Sequence, residues 1–416
     1  MVIAIKSNPV VFLSAGEASG DHYGAELIRE LKRRVAGGSF FGLGGTEMEA
    51  AGLSRIVKAE DVAVMGITEI LRHIPRIYLS YRKLVGSIKR QQPDVAVLID
   101  FPDVNFRLAK HCKRLGIPVV WFVSPQLWAW KRQRLRWVQK RVSRMLVIFP
   151  FEAAFYKARG VDAEFVGHPL ASLPLPDDNR LQFAGRNHLC NPEHSESGKH
   201  LFQPWIALLP GSRWKEVAAN LPTMLEAAAA LGAGYDFLIP VASTLEFGEF
   251  SDFVFQQTLP RIKWPKGSSI TLVTDAREAL HHAQASVVAS GTATVQALVI
   301  GNPFIVVYRV SRTTFALAKR LVKYPVEIPA PVDEVGNLPI AMVNLIAGKR
   351  IVPELINERF TAHGVASALK PLLVDGVARK TMIADLAEAR RSLFADGEET
   401  PVQRVANAVL GVLRMH

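Results

Sequence analysis

Residues 283–308 read AQASVVASGTATVQALVIGNPFIVVY and include no charged side chain. The stretch is long enough to span a bilayer, but Ser290-Gly291-Thr292 and Gly301-Asn302-Pro303 divide it with turn and cap signals. The spacing predicts strand, helix, strand, with the strands at Ser286–Ala289 and Phe304–Tyr308. Two apolar strands joined by one helix form the repeating unit of a parallel sheet, so we expect an α/β fold and no transmembrane helix.

The same alternation of apolar runs and amphipathic segments continues along the chain. The other predicted strands are Val10–Ser14, Val95–Ile99, Val119–Val123, Met145–Phe149, Ile206–Leu209, Phe237–Val241 and Ile270–Val273. Residues 173–203 are polar and lack an apolar period, so they divide the series in two. We therefore expect two doubly wound α/β domains. Their predicted bounds are an N-terminal domain at 1–172, a linker or insertion at 173–203, a C-terminal domain at 204–379 and C-terminal helices at 380–416.

Composition excludes several classes of protein. Of the 416 residues, 49% are hydrophobic and 21% are charged, which is typical of a packed globular chain rather than a disordered or fibrous one. Cys112 and Cys190 are too few for a disulfide framework, which indicates a reducing compartment.

In open parallel sheets, ligands bind at the carboxyl ends of the strands. We therefore expect the site in a central cleft between two facing domains.

Positive charge is concentrated in the first half of the chain. Residues 1–172 carry 26 Lys and Arg against 15 Asp and Glu, whereas residues 173–416 carry 24 against 23. No carboxylate lies between Asp103 and Glu152, a stretch that holds eleven basic residues. This asymmetry favours an anionic partner: nucleic acid, an acidic membrane surface or a phosphorylated substrate. Solvated helix faces are the simpler alternative.

Three loops follow predicted strands and open helices. Ser14–Asp21 (SAGEASGD) is either a ligand loop or a strand-to-helix turn with Asp21 as N-cap. Leu209–Arg213 (LPGSR) combines a glycine, a hydroxyl and a guanidinium that suits phosphate oxygens, and Ser290–Thr294 repeats the Gly/Ser/Thr helix start. Two such starts in one domain favour a nucleotide diphosphate, although neither a Walker A pattern nor a GxGxxG fingerprint is present.

Two further segments directly follow predicted strands and carry candidate site residues. Asp100 follows an apolar strand and suits a general base, whereas Asp103 fits a helix N-cap after a proline. Ser124–Arg132 (SPQLWAWKR) places two tryptophans beside basic residues, a pattern that fits stacking on a sugar, docking at a lipid interface, nucleic-acid binding or core packing. Residues 67–78 carry an apolar stripe at helical spacing that, on its own, indicates core.

No metal or nucleophile motif is recognisable. The sequence contains no HExxH pair, no cysteine cluster and no GxSxG elbow, so we expect no metal and no cofactor. His168, in Gly167-His168-Pro169, lies near the predicted hinge, where it either touches a ligand or packs.

Nine segments together resemble one family, lipid-A-disaccharide synthase. They are Ser14–Asp21, Val64–Ile67 (VMGI), Asp94–Asn105, Ser124–Trp130, Gly167–Pro169, Leu209–Arg213, Ala289–Ala293 (ASGTA), Leu317–Lys323 (LAKRLVK) and Asn344–Gly348 (NLIAG). The resemblance implies the two-domain GT-B glycosyltransferase fold. It also implies the reaction: UDP-2,3-diacylglucosamine and 2,3-diacylglucosamine 1-phosphate give the β-1′,6-linked disaccharide 1-phosphate and UDP. Such enzymes need no metal and act as peripheral proteins on the cytoplasmic face of the inner membrane of Gram-negative bacteria.

With that resemblance, each candidate residue takes an expected role. Asp100 is the catalytic base. The donor UDP is held by Gly211, Ser212, Arg213, Ser290, Gly291, Thr292 and Gln296, where Gln296 replaces the glutamate usual in the family. The acceptor side of the cleft holds Gly16, Glu17, Ser19, Ser124, Gln126, Trp128, His168 and Asn344. The stripe becomes a membrane contact formed by Ile67, Ile70, Leu71, Ile74 and Ile77.

Partners and alternatives follow from the same reasoning. We expect the two acylated sugars and an anionic membrane surface as partners and no nucleic acid, and the sequence leaves a homodimer open. One alternative is another GT-B enzyme acting on a UDP-amino sugar, such as an epimerase or a peptidoglycan glycosyltransferase. The other is a basic, non-enzymatic module that binds nucleic acid or membrane.

Overall fold

A computed structural model describes residues 8–35, 37–63, 67–189 and 203–414, with the side chains at 62–76, 312 and 314 left out. Within it the chain divides into two units. The first consists of Met1–Ser172, Lys323–Glu327 and Leu393–His416, and the second consists of Leu173–Val322 and Ile328–Ser392.

The first unit is built on a parallel sheet with the strand order β3-β2-β1-β4-β5-β6-β7. Its strands are β1 (Val10–Ala15), β2 (Ser39–Gly44), β3 (Ser54–Lys58), β4 (Val95–Ile99), β5 (Val119–Phe122), β6 (Arg144–Val147) and β7 (Ala163–Phe165). Its helices up to residue 172 are α1 (Ala18–Arg34), α2 (Thr46–Ala51), α3 (Glu60–Ala63), α4 (Ile67–Gln91), α5 (Pro102–Arg114), α6 (Leu135–Arg141) and α7 (Pro150–Lys157). All five residues of β4 are fully buried, which explains its unbroken apolar sequence: a strand covered on both faces has no solvent side.

The second unit repeats the scheme with the order β10-β9-β8-β11-β12-β13. Its strands, again parallel, are β8 (Trp205–Leu209), β9 (Asp236–Pro240), β10 (Ser269–Val273), β11 (Ala285–Ala289), β12 (Phe304–Tyr308) and β13 (Glu354–Ile356). Its helices are α8 (Arg180–Arg186), α9 (Trp214–Leu231), α10 (Phe247–Asp252), α11 (Ala276–His282), α12 (Thr292–Ile300), α13 (Arg312–Leu321), α14 (Met342–Ala347), α15 (Ala362–Leu369) and α16 (Val377–Arg391).

The last helix, α17 (Pro401–Arg414), belongs to the first unit. It buries Val405, Val409 and Val412, and Arg34 of α1 donates a hydrogen bond to its Asn407 at 2.5 Å. The chain therefore ends on the unit in which it began.

Each sheet has one point at which the strand order reverses. In the first sheet this point lies between β1 and β4, which pair with Ala15 beside Ile99. In the second it lies between β8 and β11, which pair with Leu209 beside Val288. Ligands of open α/β sheets bind outside the carboxyl ends of the strands at such reversals, so these two pairs of loops are the places to look for a site.

The predicted α/β class and both parallel sheets are confirmed, with strand ends shifted by one or two residues. β5 ends before Val123 because that residue adopts a left-handed backbone, with φ +61°. The sequence patterns missed β2, β3, β7 and β13. The segment predicted as a linker or insertion, 173–203, contains α8, which belongs to the second unit and buries Phe183 against Trp205. Residues 190–202 lie outside the described part of the chain. Nowhere in the described residues is a helix both long and apolar enough to cross a membrane.

Candidate active site

Asp100 and Phe101 form a strained turn directly after β4. Both have left-handed backbones, with φ of +45° and +47°, a conformation that residues other than glycine rarely adopt. Gly16, after the neighbouring strand β1, lies against this turn: a Cβ there would come within 2.5 Å of the Phe101 ring. The Gly16 position therefore requires glycine so that the Phe101 ring can pack beside it.

Asn105, in the first turns of α5, fixes this loop. Its side chain is fully buried and its amide group donates to the carbonyl of Asp100 at 2.7 Å. The same group lies 3.2 Å from the Ile99 carbonyl and 3.3 Å from the Ser14 carbonyl, and the amide oxygen accepts from the Ser14 hydroxyl at 2.6 Å. One amide thus ties the ends of β1 and β4 together and holds the backbone of Asp100 in its strained conformation.

The environment of Asp100 raises the pKa of its carboxyl group to about 6. Burial is the main cause and the nearby charge of Glu17 is the second, while a hydrogen bond from the Phe101 backbone acts in the opposite direction. A carboxylate with a pKa near neutrality takes up a proton more readily than an ordinary aspartate, which suits a general base.

Asp21 has a structural role. It is buried in the first turn of α1 and accepts hydrogen bonds from the backbone N–H groups of Gly45, Glu47 and Met48 at 2.7, 3.0 and 3.2 Å. The carboxylate therefore caps the start of α2 and not α1, whose N-cap is Glu17. The prediction of Asp21 as the N-cap of its own helix is wrong. Glu17 and Ser19 remain exposed on the loop.

The motif at Ser124–Trp130 surrounds a buried carboxylate, Glu152 of α7. Glu152 accepts from the Ser124 hydroxyl at 2.7 Å, from the indole N–H of Trp128 at 3.0 Å and from the Phe149 backbone at 3.2 Å. Burial raises the pKa of Glu152 to about 7 against the opposing effect of these bonds. Ser124 and Trp128 are buried, whereas Gln126 is exposed. The first two therefore build the loop, and Gln126 presents its amide to solvent.

The second unit brings two helix starts together. β8 and β11 are neighbours, so the loops at Pro210–Arg213 and Ser290–Gly291 leave the same edge of the sheet side by side. Gly291 has φ +155° and open space where a Cβ would lie, and the hydroxyl of Thr294 donates to its carbonyl at 2.8 Å. Thr292 is exposed at the start of α12, and Gln296 is half-buried one turn further on.

The start of α9, which follows the loop at Pro210–Arg213, carries the acidic residue Glu216. Its carboxylate accepts from the backbone N–H of Ser212 at 3.1 Å and lies 3.9 Å from the guanidinium of Arg213. Gly211, with φ +128°, lies so close that a Cβ would come within 2.6 Å of Glu216. The side chain of Arg213 is 74% exposed and so is available to a ligand. The helix start thus already binds an anion, its own carboxylate.

Two residues predicted on the acceptor side have structural roles. His168 is buried, its Nδ1 accepts from the Leu170 backbone at 3.2 Å, and burial lowers its pKa to about 4. Asn344 belongs to the second unit and is fully buried. It accepts from the backbones of Ile351 and Val352 and donates to Glu354 at 2.8 Å. His168 Nδ1 and the Asn344 amide are used inside the fold, so these two residues stabilise the scaffold.

The predicted membrane stripe falls largely outside the described side chains. The backbone of α4 covers the whole stripe, which confirms the helix. The side chains of Ile67, Ile70, Leu71 and Ile74 lie outside the described residues. Ile77 is half-buried, whereas Tyr78 and Leu79 are 57% and 58% exposed.

Comparison with known proteins gives the family. The family model for lipid-A-disaccharide synthetase matches residues 11–404. The chain belongs to the lipid-A-disaccharide synthetase family. A lipid-A-disaccharide synthase of Acidobacterium capsulatum is 50% identical, with 98% of each chain covered, and one of Koribacter versatilis is 46% identical, with 97% of this chain and 98% of that one covered.

The fold comparison agrees. The crystal structure of the calicheamicin glycosyltransferase CalG4 superposes with a TM-score of 0.56 at 15% identity, covering 98% of this chain and 99% of that one. The chain therefore has the GT-B glycosyltransferase fold that the sequence motifs predicted, with one Rossmann-like domain in each unit. Membership of the lipid-A-disaccharide synthetase family makes it a glycosyltransferase.

Three residues that matter at these sites were missed from sequence: Asn105, Glu152 and Glu216. Each carried a weak signal. Asn105 and Glu216 lie in the first turns of helices that follow strand-end loops, where side chains meet backbone N–H and C=O groups. Glu152 is the first carboxylate after a long basic stretch and follows Phe149-Pro150-Phe151, an apolar context in which a charge needs partners.

Proposed function

We propose that this chain transfers a sugar from UDP-2,3-diacylglucosamine to 2,3-diacylglucosamine 1-phosphate, giving the β-1′,6-linked lipid A disaccharide 1-phosphate and UDP. The observation that carries the proposal is the match to a lipid-A-disaccharide synthase that is 50% identical over 98% of this chain. Asp100, whose strained backbone at the end of β4 is held by Asn105, adds a carboxylate able to start the reaction.

Asp100 is the general base of this proposal. Its carboxylate removes the proton from the 6-hydroxyl of the acceptor as that oxygen attacks the anomeric carbon of the donor. Attack from the face opposite the leaving diphosphate inverts the anomeric centre. Asn105 holds the backbone of Asp100 in place, and the raised pKa of the Asp100 carboxyl group makes it a stronger base than an exposed aspartate.

The two helix starts of the second unit hold the donor. The diphosphate lies at the beginnings of α9 and α12, near Ser212, Arg213, Ser290, Gly291 and Thr292, with Gln296 toward the ribose. Backbone N–H groups and the Arg213 guanidinium stabilise the negative charge that develops on the departing diphosphate. A phosphate at α9 replaces the Glu216 carboxylate as the acceptor of the Ser212 N–H group.

Two features of the described residues, one in each unit, suit a phosphorylated lipid acceptor and an anionic membrane surface. The excess of basic residues in residues 1–172 suits a phosphorylated lipid and an anionic bilayer. Helix α13 exposes Leu317 and Leu321, 57% and 58% accessible, beside Lys319 and Arg320, the composition of an interfacial helix. The enzyme therefore acts as a peripheral protein on the cytoplasmic face of the inner membrane.

Incubation with both acylated substrates tests the reaction, with UDP release and disaccharide formation followed together. The proposal predicts equal amounts of both products. Conversion of the UDP-sugar without an acceptor would indicate an epimerase instead, and transfer from non-acylated UDP-sugars with equal efficiency would indicate another glycosyltransferase.

Calorimetry with UDP tests the donor site separately. Arg213→Ala should weaken UDP binding by about tenfold or more, because it removes a charge-assisted hydrogen bond. Arg261→Ala, outside the two helix-start loops, is the matched control. Equal affinities for UDP in Arg213→Ala and the control would contradict the assignment.

A further inference from the structure

A groove of about 240 Å³ lies between α5 and α6 in the first unit. Phe106 and Trp137 form its apolar wall. Its charged lining consists of four basic side chains and one carboxylate: Arg107, Lys110, Arg134, Arg141 and Asp103. None of the residues assigned above to donor, acceptor or membrane lines this groove.

Most of this positive charge has no partner. Arg134 pairs with Asp103 at 2.9 Å. Among the described side chains no carboxylate lies within ion-pairing distance of Arg107, Lys110 or Arg141. The Arg141 guanidinium donates a hydrogen bond to the carbonyl of Phe106 at 3.0 Å. Burial and the nearby charge of Arg114 both lower the pKa of Arg141. The groove therefore concentrates about three uncompensated positive charges against an apolar wall, where an anion is attracted more strongly than in open solvent.

The two guanidinium groups are held in fixed positions. Arg134 and Arg141 lie 5.6 and 5.1 Å from the centre of the Trp137 ring, and Arg134 lies 5.9 Å from that of Phe106. Contact with aromatic rings orients the guanidinium plane and reduces the entropy lost when a ligand binds. Two oriented, like-charged forks match a ligand with several anionic oxygens, which is the chemistry of a phosphate group.

The groove begins close to the proposed base. Pro102 and Asp103, which line it, follow Asp100 by two and three residues. Since consecutive Cα atoms are about 3.8 Å apart, the Cα of Pro102 lies at most about 7.6 Å from that of Asp100. The acceptor carries its phosphate on C1 and its reacting hydroxyl on C6, which is attached to C5, and C1 and C5 are both bonded to the ring oxygen. The two groups are therefore less than one sugar residue apart, a separation comparable to that span.

We propose that the α5–α6 groove binds the phosphomonoester of the acceptor sugar. This inference rests on the proposed function and adds the subsite that selects a phosphorylated acceptor. A phosphomonoester carries a charge of about −1.5 to −2 at neutral pH, whereas the phosphodiester of a common membrane lipid carries one. The excess of about three charges in the groove favours the monoester over the head groups of the surrounding bilayer.

The test compares two acceptors, 2,3-diacylglucosamine 1-phosphate and the same sugar without its phosphate. The wild-type enzyme should prefer the phosphorylated acceptor in kcat/KM. The double variant Lys110→Gln/Arg141→Gln should lose about ten- to a hundredfold of that preference, since it removes two of the cationic side chains that would hold the phosphate. The KM for the UDP-sugar should not change, and Lys113→Gln, an exposed position on α5 outside the groove, should keep the wild-type preference.

Further measurements separate the other outcomes. Should the double variant fold poorly, Arg107→Gln, an exposed position of the lining, gives the same comparison. An unchanged preference in folded variants would overturn the inference. A variant that no longer sediments with phosphatidylglycerol vesicles but keeps the wild-type preference for the phosphorylated acceptor would also overturn the inference. In that case the groove would bind membrane head groups. A wild-type enzyme that forms no disaccharide from either acceptor would refute the proposed function itself, and the subsite with it.

Discussion

Replacing Glu17 should shift the pH dependence of turnover toward acid. The proposed base Asp100 can accept a proton only when its carboxyl group is ionised, so a pKa of about 6 predicts the acidic limb of the rate profile there. At pH 5 about a tenth of the enzyme carries the ionised base, and at pH 7 about nine tenths does. Glu17→Gln removes the second cause of the raised pKa, so the limb moves to lower pH. Burial, the larger cause, remains, and the limb stays above the range of an exposed aspartate.

The order of these causes fixes the direction of the change. Burial ranks first and Glu17 second among the causes that raise the pKa of Asp100, so loss of Glu17 should lower this pKa without returning it to that of an exposed aspartate. A decrease of about half a unit would raise the ionised fraction at pH 5 about 2.5-fold, while turnover at pH 8 would not change for this reason. The variant should therefore be more active than wild type below pH 5.5.

The assay is kcat/KM for the acceptor between pH 4.5 and 8.5 at saturating donor. The phosphate of the acceptor titrates in the same range, so the difference between variant and wild type on identical substrates is the informative quantity. Glu26→Gln is the control, because the Glu26 carboxylate raises the pKa of Tyr23 and is not among the causes of the shift at Asp100. Superposable profiles for Glu17→Gln and Glu26→Gln would refute the electrostatic reasoning.

Three buried polar groups give further predictions. Asn105→Ala should lower kcat at least tenfold with little change in KM, because Asp100 loses its brace; a normal kcat in steady-state assays would exclude that positioning role. Asn344→Ala should lower the free energy of unfolding by about 2–4 kcal/mol and leave the KM for the acceptor within about twofold, whereas a raised KM at normal stability would restore Asn344 to the acceptor site. Glu152→Ala strands three buried donors and should cost at least about 2 kcal/mol more in urea denaturation than Trp128→Phe, which removes one hydrogen bond; equal losses would contradict the network.

The fold was predictable because fully buried strands leave a simple pattern. β4 and β11 read as unbroken apolar runs since helices cover both faces of each sheet. The strands that were missed are short or interrupted: β2 contains Gly42 and Gly44, and β13 has three residues. Strands of this kind resemble loops until their neighbours in the sheet are known.

The candidate site was predictable only in part. Asp100 could be found because a carboxylate at the end of an apolar strand lies at the ligand edge of a sheet. The role of Asn105 could not, because it depends on a contact with Ser14, 91 residues earlier in the chain. His168 and Asn344 show the converse: a residue in a family motif can be a buried part of the scaffold, and only its hydrogen-bond partners reveal that role.

Turnover of Asp100→Asn on the two acylated substrates tests the central claim most directly. Asparagine keeps the size of the side chain but cannot take up the proton, so disaccharide formation should fall about a hundredfold or more. UDP affinity, measured by calorimetry on the same preparation, should match that of the wild type because Asp100 is not among the residues proposed to hold UDP, which belong to the other unit. Near-normal disaccharide formation by a folded Asp100→Asn enzyme would contradict the claim that this carboxylate activates the acceptor.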